Sequence, residues 1–294
     1  MPCIGIDVGG SSVKAVVVSR EGDRIADANR TFDPDQKLHF AKTIAGVVSS
    51  LEHEHGAAEL IGLSAPGLAA KDGSSIAYLP NRLEGMEGLN WTEFLKRESP
   101  LPVLNDAHAA LLGEVWQGSA RGLKDVIMLT LGTGVGGAAM VEGNLLRGHS
   151  GKAGHLGHIC LDLCGEPDIC NTPGSLEVMI GNCTIAERSG DRFETTHDLI
   201  KAVAEGNAHA ERVWLSSVKA LACAIGSFTN ILDPEVAVIG GGIARAGELL
   251  FEPLRKEVDT VEWKVCGHDI RLVPAELGEF AGAFGAAWNA IRTT

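Results

Sequence analysis

The chain opens on an apolar, β-prone run from Cys3 to Asp7, and Gly9-Gly10 then turns it into the valine-rich stretch Ser12–Ser19. Glu21-Gly22-Asp23 makes a second turn into Arg24–Phe32, so three antiparallel strands are predicted. A helix is predicted from Gln36 to about His55, where Leu38, Ala41, Ile44, Val48 and Leu51 recur at helical spacing on one face. A short strand (Leu60–Ser64), a Pro66-Gly67 turn, a long glycine-bearing loop to Trp91 and a strand at Leu101–Leu104 follow. Asn105-Asp106 then suits the start of a helix to about Gln117, because short polar side chains satisfy the first free N–H groups.

At Val126 the pattern begins again. Val126–Leu131 reads as a strand, Gly132–Gly137 as a glycine turn, Gly137–Val141 as a strand and Glu142-Gly143-Asn144 as a second turn. Helices are predicted from Thr195 to Leu232 with a break near Gly206. A buried strand (Val236–Ile239), the Gly240-Gly241-Gly242 turn, a helix (Ala246–Val258), a strand (Ile270–Pro274) and a terminal helix (Phe280–Arg292) complete the chain. A strand, a glycine hairpin, a strand and then α/β units, met twice, predict a duplicated α/β architecture with a cleft between two lobes. The expected small lobe is 1–105 with the terminal helix at about 280–294, and the large lobe 106–279.

Composition narrows the functional classes. The 294 residues carry 25 Lys+Arg against 38 Asp+Glu, a formal net charge of −13, which repels phosphate backbones at long range. Neither a nucleic-acid partner nor an anionic membrane is expected. The first residues lack a basic region ahead of an apolar one, so no signal peptide is read there, and no uninterrupted apolar run reaches the ~18–20 residues that span a bilayer. Seven cysteines, an odd number and mostly scattered, point to free thiols in a reducing compartment and so to a cytoplasmic protein. The five tryptophans, spread over the chain, read as core or interface packing. Glycine is in surplus at 37 residues, against an average usage of ~7%, and much of it gathers in the turns just described.

Two of those turns carry chemistry. Asp7-Val8-Gly9-Gly10-Ser11-Ser12 places a carboxylate at a strand end before two glycines and two hydroxyls. Bare N–H groups and Oγ donors can surround phosphate oxygens there, and Asp7 can hold a hydrated Mg²⁺ beside them. An ordinary Gly-Gly hairpin with an acid at its edge gives the same letters. The second turn, Gly132-Thr133-Gly134-Val135-Gly136-Gly137, formally contains G-x-G-x-x-G, but a dinucleotide fold needs a helix to start there and a strand follows instead. A second phosphate-cradling hairpin fits better. Neither turn contains the Walker lysine pattern.

Taken in order, Gly5-Ile6-Asp7-Val8-Gly9-Gly10-Ser11, Leu104-Asn105-Asp106-Ala107, Leu131–Gly137 and the Gly154-His155-Leu156-Gly157-His158 segment resemble the ROK family of bacterial sugar kinases and related repressors. Val238–Gly242 and Gly282–Ala287 are similar to that family's adenosine-side glycines and last helix, with Gly241 and Gly242 as the matching pair. The resemblance spans essentially the whole chain. It implies a two-lobed actin-like ATPase (ribonuclease H-like) fold, with ATP and Mg²⁺ used to transfer the γ-phosphoryl group to a hydroxyl, O6 of a hexose or hexose derivative. Sugar and ATP are the implied small-molecule partners, with a homodimer by analogy.

The resemblance also assigns residues. Asp106 matches the catalytic acid, against the plainer reading of a helix cap. Asn81 and Asn105 match positions that bond sugar hydroxyls, though asparagine is also a common turn residue. Glu177 and His158 fall at sugar-side positions. His155 stands where family kinases usually have Glu. A carboxylate only accepts hydrogen bonds, whereas a neutral imidazole offers one donor and one acceptor, so the usual sugar preference does not carry over, unless His155 simply covers a similar volume and the site tolerates it. A catalytically weak or inactive sugar sensor is the alternative that His155 raises. A DNA-binding repressor is disfavoured because the phosphate motif starts at Ile4.

Many relatives bind structural zinc through a histidine and three cysteines in this region, and those cysteine positions here are Asp168, Cys170 and Ser175. Zinc is therefore not expected in that arrangement, since serine is a poor ligand. A rewired set of His158, Cys160, Cys164 and Cys170 is the alternative, against free loop thiols.

Overall fold

The computed structural model describes residues 2–265 and 267–294; Cys266, one of the seven cysteines, lies outside the described residues. In chain order the strands and helices are β1 (Cys3–Val8), β2 (Ser12–Val18), β3 (Arg24–Thr31), α1 (His39–His55), β4 (Leu60–Ala65), β5 (Leu68–Ala69), β6 (Ile76–Tyr78), α2 (Trp91–Phe94), β7 (Val103–Asn105), α3 (Asp106–Gln117), β8 (Val126–Leu131), β9 (Val135–Val141) and β10 (Asn144–Leu145). They continue with α4 (Leu176–Ile180), α5 (Ile185–Ser189), α6 (Thr196–Ala204), α7 (Ala208–Leu232), β11 (Val236–Gly240), α8 (Glu248–Val261), β12 (Arg271–Pro274) and α9 (Ala281–Thr293).

The chain divides into two compact units. The first comprises Met1–Gly122, Leu145–Ala153 and Glu276–Thr294; the second comprises Leu123–Asn144 and Gly154–Ala275. Each is built on a five-stranded sheet, ordered β3-β2-β1-β4-β7 in the first and β10-β9-β8-β11-β12 in the second. In both, the central strand pairs antiparallel with its hairpin partner on one side and parallel with a later strand on the other. The duplication predicted from the order of elements is thus present in the sheet topology. The predicted helical stripe is present too: α1 buries Ala41, Ile44, Val48 and Leu51, and adds Phe40 and Val47. Leu38 sits before it in a left-handed conformation (φ 57°), so the helix begins at His39 rather than Gln36.

The unit boundaries differ from the sequence expectation. Helix α3 and the segment Leu145–Ala153 lie in the first unit, whereas the sequence pattern predicts a single lobe over 106–279. Helix α3 packs directly on α9, and a Cβ on Gly113 or Gly285 would run into the partner backbone at Ala281 or Ala109. Glycine at both crossing points is what lets the two helices approach so closely. Such pairing joins residues some 170 positions apart, which no local pattern reports. The long loop to Trp91 also contains the small β5–β6 hairpin, which the sequence pattern does not predict.

Glu114 ties this region together from inside the first unit. It is fully buried on α3, and its carboxylate accepts from Ser119 N–H and hydroxyl and from the N–H groups of Glu276 and Leu277. The four donors span the end of α3 and the entry to α9. Glu114→Ala removes the one acceptor these four donors share, and we expect a loss of about 3 kcal/mol, read as a lower midpoint in urea unfolding.

In the second unit α7 is the central helix, burying Trp214, Val218, Leu221, Ala222, Ile225 and Phe228. By length and composition it is the one described helix able to cross a membrane. No uninterrupted apolar run is visible there in the sequence because Glu211, Arg212 and Lys219 punctuate it. Trp91, Trp116 and Trp214 are buried in the core, whereas Trp263, 71% exposed just beyond α8, lies outside it.

Candidate active site

In the first unit, β1, β4 and β7 run parallel, so their carboxyl ends share one edge of the sheet. That edge is where ligands bind in open α/β sheets, because the chain turns away there and leaves backbone groups unpaired. Asp7 is the last but one residue of β1 and pairs in register with Ser64, and the Ser64 hydroxyl donates to Asp7 Oδ1 at 2.6 Å. The Asp7 carboxylate is tucked against α9, where a Cβ on Gly282 would lie 2.6 Å from its Cγ. Burial lifts its pKa above the ordinary aspartate range to about 6; the Ser64 bond opposes this, and the nearby Asp106 charge adds to it. The turn that follows is closed by Gly9 N–H donating to Ser12 O at 2.8 Å, with Gly10 and Ser11 exposed at its tip.

Asn105 and Asp106 sit at the end of β7, one register step from Ser64. Asn105, not Asp106, is the cap of α3: its Oδ1 accepts from Ala107 N–H (3.0 Å) and His108 N–H (3.2 Å). Its Nδ2 donates to Gly67 O and to Asp106 Oδ1, each at 2.9 Å. Both donors and both acceptor positions of this amide are therefore filled within the protein, and the side chain is 6% exposed. Besides the sugar contact expected of it, Asn105 thus has a second task, holding the Asp106 carboxylate in place. Asp106 is the first residue of α3 and does not serve as its cap, which removes the plainer reading of its position.

Asn81 is exposed and left-handed (φ 58°), the geometry of a turn asparagine. Its neighbour Arg82 is a residue that sequence reasoning misses. The Arg82 guanidinium lies 3.5 Å from where a Cβ on Gly10 would be, so a cation stands over the first glycine turn. His108 is missed as well; it is buried on α3, and its Nε2 lies 2.9 Å from Ala153 O, fastening the segment Leu145–Ala153 to this unit. An imidazole two residues beyond Asp106 is the one signal the sequence offers for it.

In the second unit Gly132, Thr133 and Gly134 turn β8 into β9, which begins at Val135 rather than at the expected Gly137, confirming a hairpin where the G-x-G-x-x-G letters alone suggest a dinucleotide motif. Glu177, buried at the start of α4, accepts from Val135 N–H at 2.9 Å. A Cβ on Gly134 would collide with the same carboxylate oxygen, so glycine is required there. Asn182 N–H and Cys183 N–H donate to Gly132 O and Thr133 O, bracing the other side of the turn. Arg188 supports that brace from beneath, donating to Gly181 O (2.8 Å) and Ser217 Oγ (2.6 Å); burial draws its pKa down to about 10. Gly136 lies within β9, and Gly241, with φ 88°, passes over the Leu131 carbonyl with Gly242 beside it.

His155 leads into a 3-10 turn, Leu156–His158, whose Leu156 packs over Gly137 of the hairpin. The hairpin, the turn carrying His155 and His158, and the Glu177 end of α4 thus form one packed cluster. His158 Nδ1 is 2.7 Å from Asp168 Oδ2. Among the described residues, the ligand atoms that converge to within 4.8 Å are those of His158, Asp168 and Cys170. The rewired metal set with Cys160 and Cys164 is not formed; both are exposed on the loop outside this group.

Comparison with known proteins gives this site its setting. The ROK family profile matches residues 3–293. A glucokinase of Thermotoga maritima is 32% identical, the alignment covering 97% of this chain and 95% of that protein. An N-acetyl-D-glucosamine kinase of Aliivibrio fischeri is 28% identical over 98% of this chain and 99% of its own length. The crystal structure of a ROK hexokinase from Thermus thermophilus superposes with a TM-score of 0.88 at 29% identity, covering all of this chain and 99% of that one. The chain belongs to the ROK family, and its fold is the actin-like ATPase fold of the ROK sugar kinases.

Proposed function

We propose that the protein is an ATP-dependent sugar kinase that transfers the γ-phosphoryl group to a hydroxyl, O6 of a hexose or hexose derivative. The observation that carries this reading is Asp106: a carboxylate at a strand's carboxyl end, oriented by Asn105, beside the Asp7–Ser12 phosphate turn. Phosphoryl transfer asks for positioning and charge neutralisation more than for covalent chemistry, and a carboxylate suffices as base because the hydroxyl proton leaves late in a loose transition state. Asp106 accepts that proton. The turn of Gly9, Gly10, Ser11 and Ser12 in the first unit, and that of Gly132, Thr133, Gly134 and Gly136 in the second, each closed by the N–H of its first glycine, present their remaining N–H and hydroxyl donors to phosphate oxygens. Gly241 and Gly242 leave room for the adenosine.

A Mg²⁺ ion fits Asp7, a hard oxygen donor at a strand end whose carboxylate has a hydroxyl but, among the described residues, no cation within bonding distance. Bound there through water, the metal would neutralise phosphate charge. Zinc does not fit. A structural zinc site takes four ligands of the Cys and His kind, and the converging set here is His158, Asp168 and Cys170 alone, with Ser175 in the remaining place.

On the sugar side the reading assigns Asn81, Asn105, His155, His158 and Glu177. Glu177 spends one oxygen on Val135 N–H and keeps the other for a hydroxyl. Arg82 adds a cation for the transferred phosphate; Arg82→Ala is expected to raise the KM for ATP about fivefold or more with the sugar KM nearly unchanged, in initial-rate assays.

His155 in the place of the family's usual Glu favours a second reading, a sugar sensor without turnover. A coupled ADP-release assay across hexoses, N-acetylhexosamines and polyols separates the two. Sugar-dependent ADP release supports the kinase; sugar binding by calorimetry with no release for any member of the panel supports the sensor.

A further inference from the structure

From Ile159 to Leu176 the chain makes an excursion closed at its neck by pairing of Cys160 with Ser175 and by Leu176 N–H donating to Ile159 O. Inside it, Gly174 N–H bonds Glu166 O, Pro167 pairs with Pro173, and Asp168 N–H bonds Thr172 O. One side chain organises the interior. The Asp168 side chain is 1% exposed, and its Oδ1 accepts from Cys170 N–H (2.8 Å) and Thr172 N–H (3.0 Å). The Ser175 hydroxyl adds a further bond, and Oδ2 reaches back to His158 Nδ1. The carboxylate therefore joins the two ends of the excursion and its middle, with every bond accepted from the protein itself.

We infer that Asp168 is the positioning residue of this loop, doing by hydrogen bonds what a metal would do by coordination, and that it fixes the tautomer of His158. A carboxylate can only accept, so a neutral His158 must carry its proton on Nδ1. Its lone pair then lies on Nε2, and the ring meets other groups as an acceptor at that atom. A second shell that orients an imidazole in this way governs what the imidazole can bind. A metal at the same place would need the lone pair of Nδ1 and an Asp168 oxygen, both of which are engaged in this hydrogen bond, and would find Ser175 where a fourth ligand is needed. The loop's architecture and the sense of His158 as an acceptor thus come from one buried aspartate. The consequence for sugar affinity rests on the kinase reading; the tautomer and the metal content do not.

The test has three readouts on the full chain. Metal analysis of protein purified without chelator is expected to give less than a tenth of an equivalent of zinc; about one equivalent overturns the inference. Nitrogen-15 NMR of labelled histidine, with the His158 signals assigned by their loss in His158→Gln, is expected to show the Nδ1–H tautomer. A predominant Nε2–H form overturns it. Asp168→Asn keeps the shape and an oxygen for the two backbone N–H groups, but presents an NH₂ to Nδ1, so His158 is expected to switch to the Nε2–H tautomer. In that variant the KM for the sugar rises about tenfold while the KM for ATP stays within about twofold. Unchanged tautomer and unchanged sugar KM in a folded Asp168→Asn protein contradict the assignment. If the sugar is not turned over, the NMR and metal results still decide it.

Discussion

Replacing Asp106 with alanine is expected to lower the turnover of sugar phosphorylation by roughly 10²–10⁴-fold, with ATP affinity held within about twofold. The side chain sits at the first position of α3, its Oδ1 held by Asn105 Nδ2 and the Ala107 N–H. Asn105 already caps the helix, so Asp106→Ala removes a base and a pair of outward bonds without uncapping α3. Loss of folding is therefore not the expected cause of lost activity, and circular dichroism and the unfolding midpoint serve as controls. Asn105→Ala makes the contrast. It strips two N–H partners from the helix start and the anchor from Asp106, so stability and turnover should fall together, the former by about 1 kcal/mol or more. Stopped-time assays of sugar phosphate, paired with nucleotide binding by fluorescence, check both variants.

Asp7→Asn is expected to move stability and activity in opposite directions. Burial holds the Asp7 pKa near 6 in the folded protein, above its value in the unfolded chain. Linkage sets the sign. Below the unfolded value both states are protonated and nothing is lost; as pH rises through 4 to 6 the unfolded chain ionises first, and the folded state loses stability relative to it. Above pH 6 the penalty is complete. A rise of this size in pKa corresponds to about 3 kcal/mol, and because the residue is only half-buried we expect about 2 kcal/mol. Asn keeps the Ser64 hydroxyl bond and carries no charge, so at pH 7 the variant should unfold several degrees higher than the parent, with the gap closing near pH 4. Sugar phosphorylation should fall at least tenfold at ordinary Mg²⁺ and recover in part at high Mg²⁺. Urea unfolding from pH 4 to 8 and a Mg²⁺ titration of the rate give the two readings. This is the stability cost of keeping a bare carboxylate at a strand end, of the kind active sites commonly carry.

How much of this is legible in the sequence depends on how local the physics is. The two glycine turns, the strands around them and the start of α3 are readable because turn chemistry, alternation and caps act within a few residues. Asp106 and Asp7 are readable for the same reason. The placement of α3 with α9 is not, since it depends on Gly113 and Gly285 meeting helices distant in sequence. Nor is the saturation of Asn105, because Gly67 O reaches it from another strand end. Arg82 lies in a loop whose course over Gly10 no pattern reveals. In the sequence alone Asp168 reads as a missing cysteine and a lost metal ligand. The structure shows that same residue as the most heavily bonded side chain of its loop, a role that depends on Ser175 and His158 closing around it.

The central claim is transfer of phosphate from ATP to a sugar hydroxyl with Asp106 as base, and ³¹P NMR of the reaction mixture tests it most directly. Protein, ATP, Mg²⁺ and the sugar giving most ADP release are incubated and followed over time. The account expects a phosphomonoester resonance growing in step with ADP, absent with the 6-deoxy analogue of that sugar and reduced at least a hundredfold in rate with Asp106→Ala. ADP appearing with free phosphate and no sugar phosphate, or an undiminished rate in the Asp106 variant, would contradict it.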